Sequence, residues 1–264
     1  MSVRRLLLAA AVALAGCAPS VSMSGPTGPL DERCQWTGRH QGPWVFQEQE
    51  SIIAFFEATS LEEYRRVLPA IFAMPERPLV RVSVIDFYAM INGATYLESV
   101  VSVLGLHQGR AGFFHVTMPV TSGDSCAGGR STFGYPKIVR RITLERRPHG
   151  YVGVLYAAGG LTPQFTLALD TARQPSGEAL EVLRFVAPMP GFTMKDGRVF
   201  RFGGGARPAY ELERASPTTW QVRLGQARLE FPREPDQLLE RLGVGRALAA
   251  YWIRQRARYS ITPS

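Results

Sequence analysis

The chain has 264 residues, of which 45% are hydrophobic, and it carries a formal net charge of +8 at pH 7. This length and composition allow a sizeable core, and no internal repeat or low-complexity break divides the chain, so a single globular domain is expected. The basic residues are scattered and form no stripe, which argues against nucleic acid as a partner.

Residues 1–16 have the pattern of a secretory leader. Arg4 and Arg5 precede an apolar run at 6–14, which is closed by Leu14-Ala15-Gly16-Cys17. The run is short for a membrane span, so a retained transmembrane helix is the weaker alternative. The tetrapeptide resembles the bacterial lipobox, which implies a lipidated Cys17. Ala18 resembles the residue found in lipoproteins sorted to the outer membrane, so we expect a lipid-anchored protein on the periplasmic side of the cell envelope.

The segment 17–45 is predicted to be a lipid-anchored flexible tether, because it is rich in Pro, Ser and Gly. The folded domain is predicted at 46–264. Once Cys17 is modified, Cys34 and Cys126 are the remaining cysteines. An oxidising compartment would allow them to form a disulfide, and two buried thiols are the alternative.

Along the chain, one short helix is followed by many strands. Ser60-Leu61-Glu62-Glu63 has the spacing of a capping box and predicts a helix that ends at Pro69. Strands are predicted wherever Val, Ile, Phe and Tyr are enriched between turn signals, at 79–90, 96–106, 112–118, 138–145, 151–157, 165–169, 179–186, 199–202, 209–214 and 219–231. A last helix is predicted at 235–242. This pattern indicates a mainly β (α+β) fold, either a closed or nearly closed antiparallel barrel or a sandwich.

Lysine occurs at only two positions, Lys137 and Lys195, and the other basic residues are arginine. A lysine amine can lose its proton and act as a nucleophile, whereas a guanidinium stays charged. Lys195 lies in a polar turn sequence, which is typical of a solvated charge. Lys137 lies between Tyr135-Pro136 and Ile138-Val139, where an ammonium is poorly solvated. Lys137 is therefore the candidate nucleophile, and the alternative is a lysine at a strand end that reaches water.

The segment ending at Lys137 resembles the active-site stretch of acetoacetate decarboxylases, in which a Gly-Arg pair precedes Tyr/Phe-Pro-Lys. Here the stretch is GRSTFGYPK, from Gly129 to Lys137. Tyr96-Leu97-Glu98-Ser99 resembles the Tyr-x-Glu-Ser of the family, and a turn at Gly109 and a strand with His115 follow it. Weaker similarity extends from about residue 60 to the C-terminal region. The resemblance therefore covers most of the chain after the leader.

The resemblance implies a cone-like antiparallel β-barrel with a few short helices and an apolar internal cavity. It also implies a Schiff-base mechanism that needs no metal and no diffusible cofactor. In that mechanism a neutral Lys137 amine attacks a ketone, and the protonated imine that results eases the loss of carbon dioxide from a β-keto acid. Activation of such a lysine by desolvation or by a neighbouring cation is already known for this family.

Further residues are expected around the amine. Glu98 is the expected catalytic partner, because a carboxylate stabilises an iminium and moves protons, although a solvent-facing strand residue is the alternative. Tyr135 and Met118 are expected to form the apolar wall of the pocket. Arg130 is expected either to bind a substrate carboxylate through its planar fork or to brace the loop. His115 is expected to be a core histidine.

Several positions depart from the family pattern. Ile138 replaces a second lysine, Ser131 replaces a glutamate, and Ser83 lies near a second acidic position of the pocket. An expected arginine falls near Glu50, and Gly128-Gly129 weakens a short helix before the motif. These changes keep the Schiff-base lysine but make acetoacetate itself a doubtful substrate.

Three functions are compatible with these features. The first is a decarboxylase-like lyase that acts on a β-keto acid or a related carbonyl compound. The second is an aldolase or dehydratase that uses the same imine. The third is a non-catalytic lipoprotein that binds an apolar ligand in its barrel. The expected partners are a small carbonyl substrate or an apolar ligand, the membrane through the lipid, and, by resemblance to the family, further copies of the chain.

Overall fold

The computed structural model of the chain describes residues 23–24, 31–38, 44–92, 94–204, 206, 208–215 and 219–260. The predicted signal peptide and Cys17 lie outside the described residues. Within the described part, the strands are β1 Met23–Ser24, β2 Val45–Ala58, β3 Leu79–Met90, β4 Tyr96–His107, β5 Arg110–Val120, β6 Lys137–Val139, β7 Ile142–Arg147, β8 Gly150–Tyr156, β9 Pro163–Asp170, β10 Gly191–Lys195, β11 Arg198–Phe202, β12 Trp220–Glu230 and β13 Val244–Ser260. The helices are α1 Leu61–Val67, α2 Gly123–Phe133, α3 Gly177–Val186, α4 Ala209–Ala215 and α5 Leu238–Arg241.

The described strands form one strongly curled sheet, a half-barrel with a few short helices. Their order is β1-β7-β8-β9-β12-β13-β2-β3-β4-β5-β10-β11, and β6 pairs with β5. The pairs β5–β6 and β5–β10 are parallel, and the others are antiparallel. The prediction of a mainly β, antiparallel barrel fold with a few short helices is confirmed, with a half-barrel in place of a closed barrel. The single continuous sheet excludes the sandwich alternative.

The curl encloses the largest part of the core. Apolar side chains of β2, β3 and β4 pack there against those of β7, β8 and β9. Gly153 makes this close approach possible, because a Cβ atom at that position would lie 2.7 Å from Val84 Cγ2. The opposite face of β2–β5 is covered by α2, α3 and α4 and by β10–β11, with separate apolar clusters beneath them. The part of the sheet formed by β2–β5 is therefore buried on both faces.

Two strand predictions are wrong, because 179–186 and 209–214 are helical. α3 begins after Ser176, whose side chain accepts a hydrogen bond from Ala179 N at 3.2 Å. The buried residues of α3 recur at helical spacing, at Ala179, Val182, Leu183 and Val186. The enrichment in Val, Leu and Phe favours a strand, but the apolar period of the run is that of a helix.

Other elements differ in extent. The run predicted as one strand at 138–145 is divided into β6 and β7. Ser60 precedes α1 as predicted, but its side chain makes no capping hydrogen bond. The strands β1, β2, β10 and β13 were not predicted from the sequence. β13 contains several arginines, whose charges obscure the apolar alternation expected of a strand.

Residues 31–38, within the segment predicted to be a tether, contact the domain. A disulfide joins Cys34 to Cys126 on α2. The backbone N–H of Thr37 donates to Asp124 Oδ1 at 2.6 Å, and Arg140 pairs with Glu32 at 3.1 Å. Because these contacts include a covalent bond to α2, this part of the segment is held against the domain and is not a flexible tether.

We expect the Cys34→Ser/Cys126→Ser double variant to lose about 2–5 kcal/mol of its free energy of unfolding, because the bond closes a long loop in the unfolded chain. The two cysteines are 92 residues apart in the sequence. Equilibrium unfolding in guanidinium chloride measures the loss. A reducing agent should destabilise the wild type by the same amount and leave the double variant unchanged. Equal stability of the oxidised and reduced wild type would contradict this account.

Candidate active site

Helix α2 and the loop after it position Lys137 at the edge of β5. Ser122 caps the helix by accepting a hydrogen bond from Ser125 N at 3.2 Å. Gly134, with φ of 66°, ends the helix in the left-handed conformation that glycine adopts most readily. The chain then enters β6, where Lys137 pairs with Met118 of β5. The lysine of the motif is therefore the first residue of a parallel strand.

Strand alternation directs Glu98 toward this lysine. Leu97 and Val101 of β4 pack in the core inside the curl, so Glu98 lies on the opposite face of the sheet. Its Oε2 atom is 2.8 Å from Lys137 Nζ, and the two side chains are 7% and 5% exposed. The two motifs of the sequence thus meet in a buried ion pair.

The lysine amine has three further neighbours. Its Nζ atom donates to Ser125 Oγ at 3.1 Å. It also lies 5.1 Å from the ring centroid of Tyr96 and 5.5 Å from that of Tyr135, distances at which an ammonium is attracted to an aromatic face. These contacts replace water around the charged group.

Gly129 of α2 provides the space that the lysine side chain occupies. A Cβ atom at position 129 would lie 2.7 Å from Lys137 Cδ and 2.9 Å from Lys137 Cε. The glycine that weakens the helix is therefore required by the close approach of Lys137. A Cβ atom at the neighbouring Gly128 would lie 3.0 Å from Trp36.

A small cavity of about 20 Å³ lies beside the amine. Most of its lining is aromatic, and the lining residues are Trp44, Phe46, Tyr96, Ser125, Gly129, Phe133, Tyr135 and Lys137. A cavity of this size holds about one water molecule. A larger molecule can enter only when lining side chains move.

The two tyrosines of the cavity keep their protons. Burial raises the pKa of Tyr96 well above its ordinary value, and the nearby Glu98 carboxylate raises it further. Burial and the same carboxylate also raise the pKa of Tyr135. Both phenols therefore remain hydrogen-bond donors throughout the physiological pH range.

The other residues expected at the site differ in their burial and in whether they line the cavity. Met118 is buried in a cluster with Val100 and Tyr135. Arg130 is exposed in the last turn of α2 and does not line the cavity. Ile138 is 37% exposed, because alternation along β6 turns it away from Lys137. The cation that the family carries at this position would therefore not lie beside the amine.

Sequence reasoning did not identify Ser125, Trp44, Phe46 or the lysine-packing role of Gly129. Ser125 is a small polar residue in a helix, and only its distance from Lys137 distinguishes it.

Among the described residues, no group of three or more His, Cys, Asp or Glu side chains is arranged to hold a metal ion. No described helix is both long and apolar enough to cross a membrane.

Comparison with known proteins agrees with this architecture. Solved structures of the same fold include an acetoacetate decarboxylase, which is 16% identical with a TM-score of 0.61, over 85% of this chain and 90% of that chain. The acetoacetate decarboxylase of Legionella pneumophila is 17% identical with a TM-score of 0.60, over 84% of this chain and 88% of that chain. The enduracididine biosynthesis enzyme MppR, in complex with pyruvate, is 11% identical with a TM-score of 0.57, over 84% of this chain and 91% of that chain.

Searching curated proteins gave no match. The family model described as acetoacetate decarboxylase (ADC) matches residues 35–261, a range that includes Glu98, Lys137 and Cys126. The chain belongs to the acetoacetate decarboxylase family.

Proposed function

We propose that this protein is a Schiff-base-forming carbon–carbon lyase that acts on a β-keto acid or a related carbonyl compound through Lys137. The observation that carries the proposal is the contact of 2.8 Å between the Lys137 amine and the Glu98 carboxylate, in an aromatic and almost inaccessible site. An amine that attacks a carbonyl needs a nearby group to take its proton, and Glu98 is within direct reach.

The first step is a proton transfer within the pair. Lys137 Nζ gives one proton to Glu98 Oε2, which leaves a neutral amine and a neutral carboxylic acid. Burial penalises both charged groups, and the exchange removes both charges. No second cation is needed beside the amine for this step.

The neutral amine then attacks the carbonyl carbon of the substrate and forms a carbinolamine. The Glu98 acid gives a proton to the hydroxyl group, water leaves, and a protonated imine forms. When the substrate is a β-keto acid, the bond to its carboxyl carbon breaks, carbon dioxide leaves, and the electron pair forms an enamine. Protonation at carbon and hydrolysis of the imine release the ketone and restore Lys137.

The same protonated imine would serve an aldol or dehydration step. Pyruvate in the structure of MppR supports a small carbonyl compound as the ligand of this fold. Analysis of products, as carbon dioxide or as an aldehyde, separates decarboxylation from an aldol reaction.

Lys137 is expected to be the site of covalent adduct formation with acetylacetone and borohydride. Intact mass and peptide mapping of the purified protein should show one adduct on Lys137 in the wild type and none in Lys137→Ala. Lys195→Ala is the matched control, because Lys195 is the other lysine of the chain, and it should label like the wild type. Absence of an adduct with every carbonyl probe would exclude the Schiff-base mechanism and favour a ligand-binding lipoprotein.

Gly129→Ala is expected to slow adduct formation at least tenfold, because the new methyl group would occupy the place of the Lys137 side chain. Gly177→Ala is the control, because Gly177 is also helical and has no atom within 4 Å of an added Cβ. In propensity alone, Gly129→Ala favours the helix by roughly 0.5–1 kcal/mol. The rate of trapping and the midpoint of thermal unfolding should therefore separate the two variants. Equal trapping rates in both would contradict the packing role of Gly129.

We also propose that the protein is exported and held on the periplasmic side of the envelope by a lipid on Cys17. The proposal rests on the lipobox-like sequence, and the Cys34–Cys126 disulfide supports an oxidising compartment. In a bacterial host, the wild type should fractionate with membranes and Cys17→Ser should not. Release of the wild type with the periplasmic contents, without a mass increase on Cys17, would contradict the anchor.

A further inference from the structure

A second polar cluster lies on the same sheet face as Glu98. Arg81 of β3 is opposite Ser102 of β4, and Ser102 is opposite His115 of β5. The Nη2 atom of the Arg81 guanidinium is 3.3 Å from Ser102 Oγ and 3.5 Å from His115 Nδ1. The guanidinium carbon also lies 4.9 Å from the ring centroid of Phe113. The chemistry described above does not use this cluster.

The cluster contains a cation without an anion. In the described part of the chain no carboxylate forms a salt bridge with Arg81, and its Nε atom is inaccessible and has no hydrogen-bond partner. Burial lowers the pKa of Arg81 to about 10, so the group stays charged at neutral pH. Burial and the charge of Arg81 hold the pKa of His115 well below its ordinary value, so His115 is neutral. Glu98 is engaged by Lys137.

Arg81 and Lys137 lie at opposite ends of a row of buried apolar side chains, which a ligand that spans both groups would have to displace. Ser102 and Glu98 are four residues apart on β4, so they share a face and are separated by about 13 Å along the strand. The residues between the two ends form a buried cluster of Val100, Met118 and Tyr135. Along this face of the sheet, Arg81 is followed by buried apolar side chains and then by Lys137 and Glu98.

We propose that Arg81 binds a carboxylate at the far end of the substrate, so that the substrate carries an acid group separated by an apolar chain from the carbonyl that meets Lys137, in addition to any carboxyl group that leaves from beside that carbonyl. This inference rests on the proposed function, because it assumes that the carbonyl meets Lys137. A guanidinium fork is suited to a carboxylate, and the Nε atom without a partner is a free donor for it. Acetoacetate is too short to reach both ends.

The test compares 7-oxooctanoate with 2-octanone, a methyl ketone of the same length without the carboxylate, and with the shorter acid levulinate. Dissociation constants are measured by calorimetry on the purified protein, and imines are trapped with borohydride. The wild type should bind 7-oxooctanoate about ten- to hundredfold more tightly than 2-octanone, as expected for hydrogen bonds to a charged group. Levulinate should bind no better than 2-octanone.

Arg81→Met should remove the preference for 7-oxooctanoate and leave the affinity for 2-octanone unchanged, and Arg81→Lys should retain part of the preference. If Arg81→Met does not fold, the wild-type preferences and Arg81→Lys decide the question. Equal binding of 7-oxooctanoate and 2-octanone by the wild type, or an unchanged preference in Arg81→Met, would overturn the inference. Tight binding that depends on Arg81 but gives no trapped imine would support the subsite and exclude the proposed function.

Discussion

The Lys137 ammonium and the Glu98 carboxylate are in contact at 2.8 Å with almost no exposed surface, and each buried ion costs several kcal/mol of hydration. The surroundings of the pair reduce this cost. Ser125 accepts a hydrogen bond from the amine, and the rings of Tyr96 and Tyr135 present their faces to it. In the proposed mechanism the pair exchanges one proton before the amine attacks the carbonyl, and this exchange removes both buried charges.

Helix α2 connects the site to the N-terminal segment. It supplies Ser125 and Gly129 to the lysine, and between them Cys126 forms the disulfide with Cys34. Trp36, two residues after Cys34, stacks on Trp44 with ring centroids 6.4 Å apart, and Trp44 lines the cavity. Residues before the predicted domain boundary therefore contribute to the cover of the site. In an exported protein, a covalent link of this kind is stable because the compartment is oxidising.

Departures from the family pattern have unequal consequences for the pocket. Ile138 and Ser131 are exposed, so replacing charged residues at these positions does not change the charge beside the amine. Ser83 is different, because it is buried and pairs with Val100, on the sheet face between Arg81 and Glu98. A serine in place of an acidic residue there removes a negative charge that would compete with a substrate carboxylate for Arg81. Among these departures, the change that alters the buried charge is therefore at Ser83, between Arg81 and the Lys137–Glu98 pair.

The sequence alone determined the mainly β class, the bounds of β3, and the two motifs that contain Glu98 and Lys137, because period-2 alternation and short motifs are local properties of a chain. It misassigned α3, where valines and a phenylalanine occur in a helix that packs on the sheet, and it also misassigned α4. Only the tertiary structure decided that Gly129 makes room for the lysine, that Ser125 binds it, and that Arg81 has no carboxylate partner among the described residues. These facts depend on distances between segments far apart in the chain, and on the strand register and the curl of the sheet that set those distances.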